Sequence, residues 1–222
     1  MHFAWEYIFF TEKNPFKAKK IPIETRWYKP PKNAIKLNCD GALSSTNNAA
    51  GIGGLFRNSN GDWILGYQKA THAASPIHAE LLALLEGLNI AVDFKDTNME
   101  IETDSTDAIK LLHEDCTNFQ NVILECRWLV HQLKLPLLRH NFREGNEVAH
   151  RLGKEALKKP PSDKFVYHAR PPFFVQEDIR KDKHESCNSL RTISTDVCNF
   201  LATMGNSNAL KTMSYSCNLS FK

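Results

Sequence analysis

The fold class that the sequence predicts is α/β: a three-layer arrangement with a five-stranded mixed sheet between helices on both faces. Three observations carry this. Apolar residues recur with period two in three successive short segments from Ile35 onward. The period then lengthens to that of a helix, and strand-like and helix-like segments alternate from there to Leu157. Strands joined by tight turns form an antiparallel meander, whereas strands separated by helices run parallel. The first three strands are therefore expected antiparallel, and strands one, four and five parallel.

Each element has its own signal. Ile35, Leu37 and Cys39 alternate with Lys36, Asn38 and Asp40, as in a strand with one buried face. Segments 50–56 and 63–68 follow as strands joined through Asn58-Ser59-Asn60-Gly61, where Asn-Gly tolerates the positive φ of a tight hairpin. Ser75-Pro76 reads as an N-cap with proline in the first turn. Ile77, Leu81, Leu84, Leu85, Leu88 and Val92 then form a helical stripe. Met99, Ile101 and Thr103 alternate as a fourth strand, ending at Asp104-Ser105, which can cap a helix over 106–112. A second amphipathic helix uses Phe119, Val122, Ile123, Cys126, Leu129, Val130 and Leu133. Residues 137–142 form the fifth strand, and a closing helix over 146–157 turns Val148, Ala149, Leu152 and Ala156 inward.

This domain, 34–159, lies between two arms. Residues 1–33 are Lys- and Pro-rich and read as an extended lead-in. Residues 160–176 are a Pro-containing exit, and 177–222, dense in Ser, Asn, Asp and Thr, read as a disordered tail with one helix near 197–204. A chain of 222 residues with a 42% hydrophobic share can bury one core of about 120–150 residues. The net charge of +3 permits a polyanionic partner without demanding one. Six cysteines without a Cys-x-x-Cys pair exclude an organised zinc site and suggest reduced thiols in an intracellular protein, nuclear or cytoplasmic. The apolar start contains Glu6 and lacks a basic region before it, unlike a secretory signal. No stretch reaches the ~18 apolar residues of a membrane span.

Three carboxylates stand where such a sheet would gather them. Asp40 lies near the end of the first strand, Asp104 at the end of the fourth, and Glu80 in the first turns of the intervening helix. Parallel neighbours present their carboxyl ends on one edge. At about 100° per residue, Glu80 falls roughly 80° from the middle of the apolar stripe, on the border of the buried face. Taken singly, Asp40-Gly41 could be a turn, Glu80 a dipole complement and Asp104 a helix cap. Crowded together they repel unless cations neutralise them, and hard oxygen ligands suit Mg²⁺ or Mn²⁺.

Cys39-Asp40-Gly41-Ala42, Ala79-Glu80-Leu81-Leu82-Ala83-Leu84, Glu102-Thr103-Asp104-Ser105 and Arg143-Glu144-Gly145-Asn146-Glu147-Val148-Ala149 resemble the signatures of type 1 ribonuclease H. More narrowly, the chain is similar to the plant reverse-transcriptase-like subgroup derived from non-LTR retrotransposons. Trp27-Tyr28-Lys29-Pro30-Pro31 fits that subgroup's lead-in and Pro171-Pro172 its exit, so the likeness spans roughly 27–175. The resemblance implies an RNase H-like fold and endonucleolytic cutting of the RNA strand of an RNA–DNA hybrid by a monomer without a small-molecule cofactor. It implies two Mg²⁺ ions, or Mn²⁺, about 4 Å apart on the scissile phosphate. Asp40 would bridge both ions, Glu80 and Asp104 would each hold one, and Glu80 would lie near the RNA. Recognition would rest on minor-groove shape and 2′-hydroxyls.

The chain departs from the family at the fourth acid, in an Asn-x-Val-Ala-Asp pattern, where it has His150. Asn146 and His150 share a helix side, so His150 should still face the site as a ligand or proton handler; imidazole is a softer donor than carboxylate. Alternatively this marks a domesticated nucleic-acid-binding module that barely cuts. His140 reads as a strand-face histidine. His113 and Cys116 lack a second pair of ligands. Trp128 reads as a residue shielding the core edge, with base stacking the alternative. The loop between Leu112 and Phe119 is too short for a basic protrusion, leaving Arg127, Lys134 and other scattered cations to supply modest, salt-sensitive affinity.

Overall fold

The computed structural model describes residues 19–94, 97–114, 118–162, 164–184, 186 and 189–219. The first eighteen residues of the lead-in, Cys116 with its two chain neighbours, and Cys187 lie outside them. The lead-in contains a strand, β1 (Lys20–Thr25), and then Trp27 before the domain proper. The meander follows as β2 (Ala34–Leu43), β3 (Ala49–Arg57) and β4 (Trp63–His72). Gly61 takes φ +81° at the β3–β4 turn, as the Asn-Gly signal requires. Helix α1 (Pro76–Ala91) starts at Ser75, whose hydroxyl accepts from the His78 N–H at 3.2 Å, with proline in the first turn. Then come β5 (Asn98–Thr103), α2 (Thr106–Leu111), α3 (Gln120–Gln132), β6 (Leu137–His140) and α4 (Glu147–Leu157).

The alternation read from the sequence is therefore present in order, and β2, β5 and β6 run parallel. The sheet, however, has six strands, not five. Val166–His168, in the Pro-containing exit, forms β7 and pairs antiparallel with β4, giving the order β6-β5-β2-β3-β4-β7. Three residues are too few to show a period, and β7 exists because it covers the edge that β4 would otherwise expose.

The tail differs more. It forms α5 (Gln176–Lys183), β8 (Ser189–Ser194), α6 (Thr195–Thr203) and α7 (Ser207–Leu219). β8 pairs antiparallel with β1, a second sheet that joins the two arms. Cys198, Leu201 and Ala209 bury themselves against Ile23 and Phe142, so the tail and the lead-in share a core that neither could form alone. A low density of apolar residues mimics disorder when half of the cluster comes from elsewhere in the chain.

Two cores flank the large sheet. Leu81, Leu84 and Leu88 of α1 and Ile123, Cys126 and Leu129 of α3 close over Leu37, Cys39, Ile52 and Phe56. On the other face Val148, Ala149 and Leu152 of α4 close over Leu55. Each fully buried leucine contributes about 1.5–3 kcal/mol of transfer free energy. β2 has no solvated side: Lys36, Asn38 and Asp40, expected outward, are all buried. Trp27 covers Lys36 and Asn38, and His150 of α4 covers Asp40. The Trp27 ring is fully enclosed, donates Nε1–H to Asn38 Oδ1 at 3.0 Å, and carries the Arg57 guanidinium 3.6 Å above its centroid.

Candidate metal centre and nucleic-acid interface

The parallel register of β2 and β5 builds the site rung by rung. Lys36 lies opposite Glu100 and Asn38 opposite Glu102. Continuing by two brings Asp40 level with Asp104, one residue past the end of β5. The lower rungs are neutralised internally. Lys36 Nζ lies 3.2 Å from Glu100 Oε2 and 2.5 Å from Glu102 Oε1, and donates to the Tyr28 carbonyl at 2.8 Å. Asn38 and Asn141 both donate to Glu102 Oε2, at 3.2 and 3.0 Å. Among the described residues no lysine forms an ion pair with Asp40 or Asp104.

Glu80 arrives from α1. Gly41 makes this possible, since a Cβ there would lie 2.3 Å from the carbonyl of Ala79; without one, the first turn of α1 rests on the β2 backbone. The Gly41 N–H donates to Glu80 Oε2 at 3.2 Å. Asp104 is not the helix cap: Ser105 takes that role, accepting from the Ala108 N–H at 3.1 Å, which leaves the Asp104 carboxylate to the cluster. One oxygen each from Asp40, Glu80 and Asp104 lies within 4.8 Å of the others.

The electrostatics follow from crowding. Burial, and then the charge of Asp104, raise Asp40 to about 6, although its hydrogen bond to His150 pulls the other way. Burial raises Glu80 to about 9, with Asp40 and Asp104 adding to the rise. Asp40 Oδ1 is buried and meets no donor among the described residues. A buried acceptor without a donor, among carboxylates that resist joint ionisation, is what a divalent cation would satisfy, and the all-oxygen set fits Mg²⁺ or Mn²⁺.

His150 faces the site from α4, its Nδ1 2.9 Å from Asp40 Oδ2. It stands outside the mutual carboxylate group and acts on Asp40. Two further residues belong here that the sequence reading did not assign to the site. Arg143, on the short turn before α4, places Nε 2.5 Å from Asp104 Oδ2 and Nη1 2.7 and 2.9 Å from the two ring nitrogens of His150. Asn146 donates to the Cys39 carbonyl at 2.9 Å and to Asp104 Oδ1 at 3.4 Å, tying α4 to both acid-bearing strands. Both lie inside the Arg143–Ala149 motif, so the motif held the signal; only the role of each residue was hidden.

Other candidates resolve differently. Arg127 caps the end of α2, donating to the Leu111 and Leu112 carbonyls at 3.1 and 3.0 Å, and is occupied structurally. Trp128 is 60% exposed and does not shield the core. His140 is buried, 2.8 Å from Asn206 of the tail, and burial lowers it to about 4. Cys39, Cys126 and Cys198 are unpaired and buried.

A family model described as reverse transcriptase-like matches residues 38–156, just over half of the chain. The chain belongs to that family. The matched stretch holds Asp40, Glu80, Asp104, Arg143, Asn146 and His150. Solved structures place the reverse transcriptase-like domain in the RNase H-like fold. RNase H1 from the halophilic archaeon Halobacterium salinarum aligns with 56% of this chain and 98% of its own length at 25% identity, with a TM-score of 0.53. LC11-RNase H1, solved in complex with an RNA/DNA hybrid, aligns with 56% of this chain and 96% of its own, at 19% identity and a TM-score of 0.52, a likeness of fold. An Arabidopsis thaliana protein that carries the name ribonuclease H protein is 28% identical over 134 residues, 59% of this chain. The match spans only 22% of that relative's length. Among the described residues no helix is long and apolar enough to cross a membrane.

Proposed function

We propose that this domain hydrolyses the RNA strand of RNA–DNA hybrids with the help of divalent cations, with Asp40, Glu80, Asp104 and His150 as its catalytic set. The observation that carries this reading is the convergence of three carboxylates from β2, α1 and the end of β5 within 4.8 Å, with the buried Asp40 Oδ1 meeting no donor among the described residues. Asp40, Glu80 and Asp104 would hold the cations. When bound, two such ions neutralise the scissile phosphate, activate water and stabilise the leaving 3′ oxygen. His150 fixes the Asp40 carboxylate through Nδ1, and Asn146 holds Asp104 against the β2 backbone. The like fold of an RNase H1 that binds an RNA/DNA hybrid supports the same substrate class here. Discrimination against DNA duplexes would rest on contacts to the 2′-hydroxyls.

One observation favours a second reading, a nucleic-acid-binding module with little or no cutting activity. The fourth acidic position of the family is His150, whose Nδ1 is committed to Asp40. Incubating a labelled RNA–DNA hybrid with the protein in Mg²⁺ and then Mn²⁺ decides between the two. Cutting that disappears in Asp40→Asn supports the enzyme. Hybrid binding without cutting in either metal supports the module and removes the enzyme.

A further inference from the structure

The acid cluster already has a cation, and it belongs to the chain. Arg143 Nε lies 2.5 Å from Asp104 Oδ2, while its Nη1 rests against His150, which in turn holds Asp40. Asp104 has two oxygens, and Asn146 approaches the other at 3.4 Å. A divalent ion that uses Asp104 must therefore bind a carboxylate whose negative charge the guanidinium already meets at Oδ2. Two positive charges on one carboxylate repel each other, so the guanidinium weakens the hold of Asp104 on a divalent ion.

The setting of Arg143 suits a ligand that leaves. Its side chain is 44% exposed and stands on a three-residue turn, whereas Lys36, the cation of the lower rungs, is 1% exposed and fully enclosed. The turn itself is nonetheless held, the Phe142 carbonyl accepting from the Gly145 and Asn146 N–H groups at 2.9 and 3.1 Å. Glu144 accepts from Arg191 Nε at 2.8 Å, and Asn208 of the tail donates to Asn141 Oδ1 at 2.9 Å. The Arg143 side chain can thus swing into solvent while the turn stays in place, giving up its contact with the His150 ring and leaving His150 on Asp40 and Asn146 on the Cys39 carbonyl.

We infer that Arg143 is a displaceable counter-cation: it neutralises Asp104 in the metal-free protein and must release it when a divalent ion binds, so it sets the ion concentration the site requires. This rests on the reading of Asp40, Glu80 and Asp104 as cation ligands, and it makes Arg143 a positioning residue.

The test is metal binding by the full chain without substrate. Mn²⁺ affinity is measured by calorimetry, and free ion by its electron paramagnetic resonance, for wild type, Arg143→Gln and Arg143→Lys. Removal of the competing charge in Arg143→Gln should tighten binding by about five- to tenfold, the scale of an ordinary coupling between two ligands. Arg143→Lys keeps the charge and should stay within about twofold of wild type. A purely structural role would weaken binding in both variants. In the wild-type protein the Arg143 Nε–H resonance should move on titration with diamagnetic Mg²⁺, a readout that needs no variant. Absence of any divalent-ion uptake by wild type overturns the metal reading and this inference with it. Normal uptake by wild type, with Arg143→Gln no tighter and an unmoved Nε–H resonance, overturns this inference alone.

Discussion

β2 and β5 carry two sets of acids on one face, and they differ in how their charge is met. Glu100 and Glu102 sit on the lower rungs with Lys36, a lysine sealed beneath Trp27 and bonded to a backbone carbonyl. Asp40 and Asp104 sit two residues further on, with Glu80 beside them, and meet protons, a histidine and a half-exposed arginine instead. The strands, the face and the residue types are nearly the same. What separates structure from function here is whether the counter-charge can exchange with solvent. A buried internal cation makes the lower rungs rigid, and the upper rung is left for ions that come and go.

The largest expected effect breaks the lower set. Lys36→Met leaves Glu102 buried without its cation and Glu100 with Arg139 alone at 3.6 Å, and should cost about 3–5 kcal/mol in urea unfolding. A loss below about 1 kcal/mol would mean that solvent already reaches those rungs and that the contrast between them fails. Next comes the upper set. Asp40→Asn should lower hybrid cleavage at least about 100-fold, since loss of mere outer-shell support already costs 10–100-fold at metal sites. Hybrid binding should persist, and far-UV circular dichroism should stay unchanged.

A pH series sharpens the comparison with a smaller effect. Glu80 is raised from 4.5 to about 9, so between those values the folded metal-free protein holds a proton that the unfolded chain has lost. Its stability contribution is fully present below pH 4.5 and drains away as the pH climbs toward 9. Glu80→Gln should flatten that slope and stabilise the metal-free protein near pH 8 by about 0.5–2 kcal/mol, the usual gain from relieving a strained functional site. Saturating Mg²⁺ should narrow the gap between the two proteins; an unchanged gap would argue against cation binding at Glu80. The smallest effect is expected away from both sets. Trp128→Ala should shift stability by less than about 0.5 kcal/mol, since the side chain is 60% exposed. A larger shift in the thermal midpoint would restore Trp128 to the core edge.

Much of this was legible in the residues. The period-two segments and the helical stripe marked the main elements, Ser75-Pro76 and Asn60-Gly61 marked their ends, and the motifs placed three acids at strand and helix termini. The direction of His150 was legible as well, since i,i+4 spacing on a helix is fixed locally, and its Nδ1 lies 2.9 Å from Asp40 Oδ2. Three things were not legible. Lys36 looked like a solvent-facing residue because its lid, Trp27, lies in a proline-rich stretch with no hydrophobic period. Ser105 and Asp104 were equally good caps by type, and only the geometry chose Ser105. The tail looked disordered because its apolar residues find partners in Ile23 and Phe142, far away in the chain.

By itself, the sequence determined what local spacing can determine: periods, caps, turns, and which acids stand at the ends of which elements, since these depend on interactions within a few residues. Tertiary structure alone decided which charge neutralises which. Lys36 with Glu102, Arg143 with Asp104 and Arg57 with Asp182 are pairs separated by 39 to 125 positions. Coulomb forces and burial act through space, so no period along the chain records them.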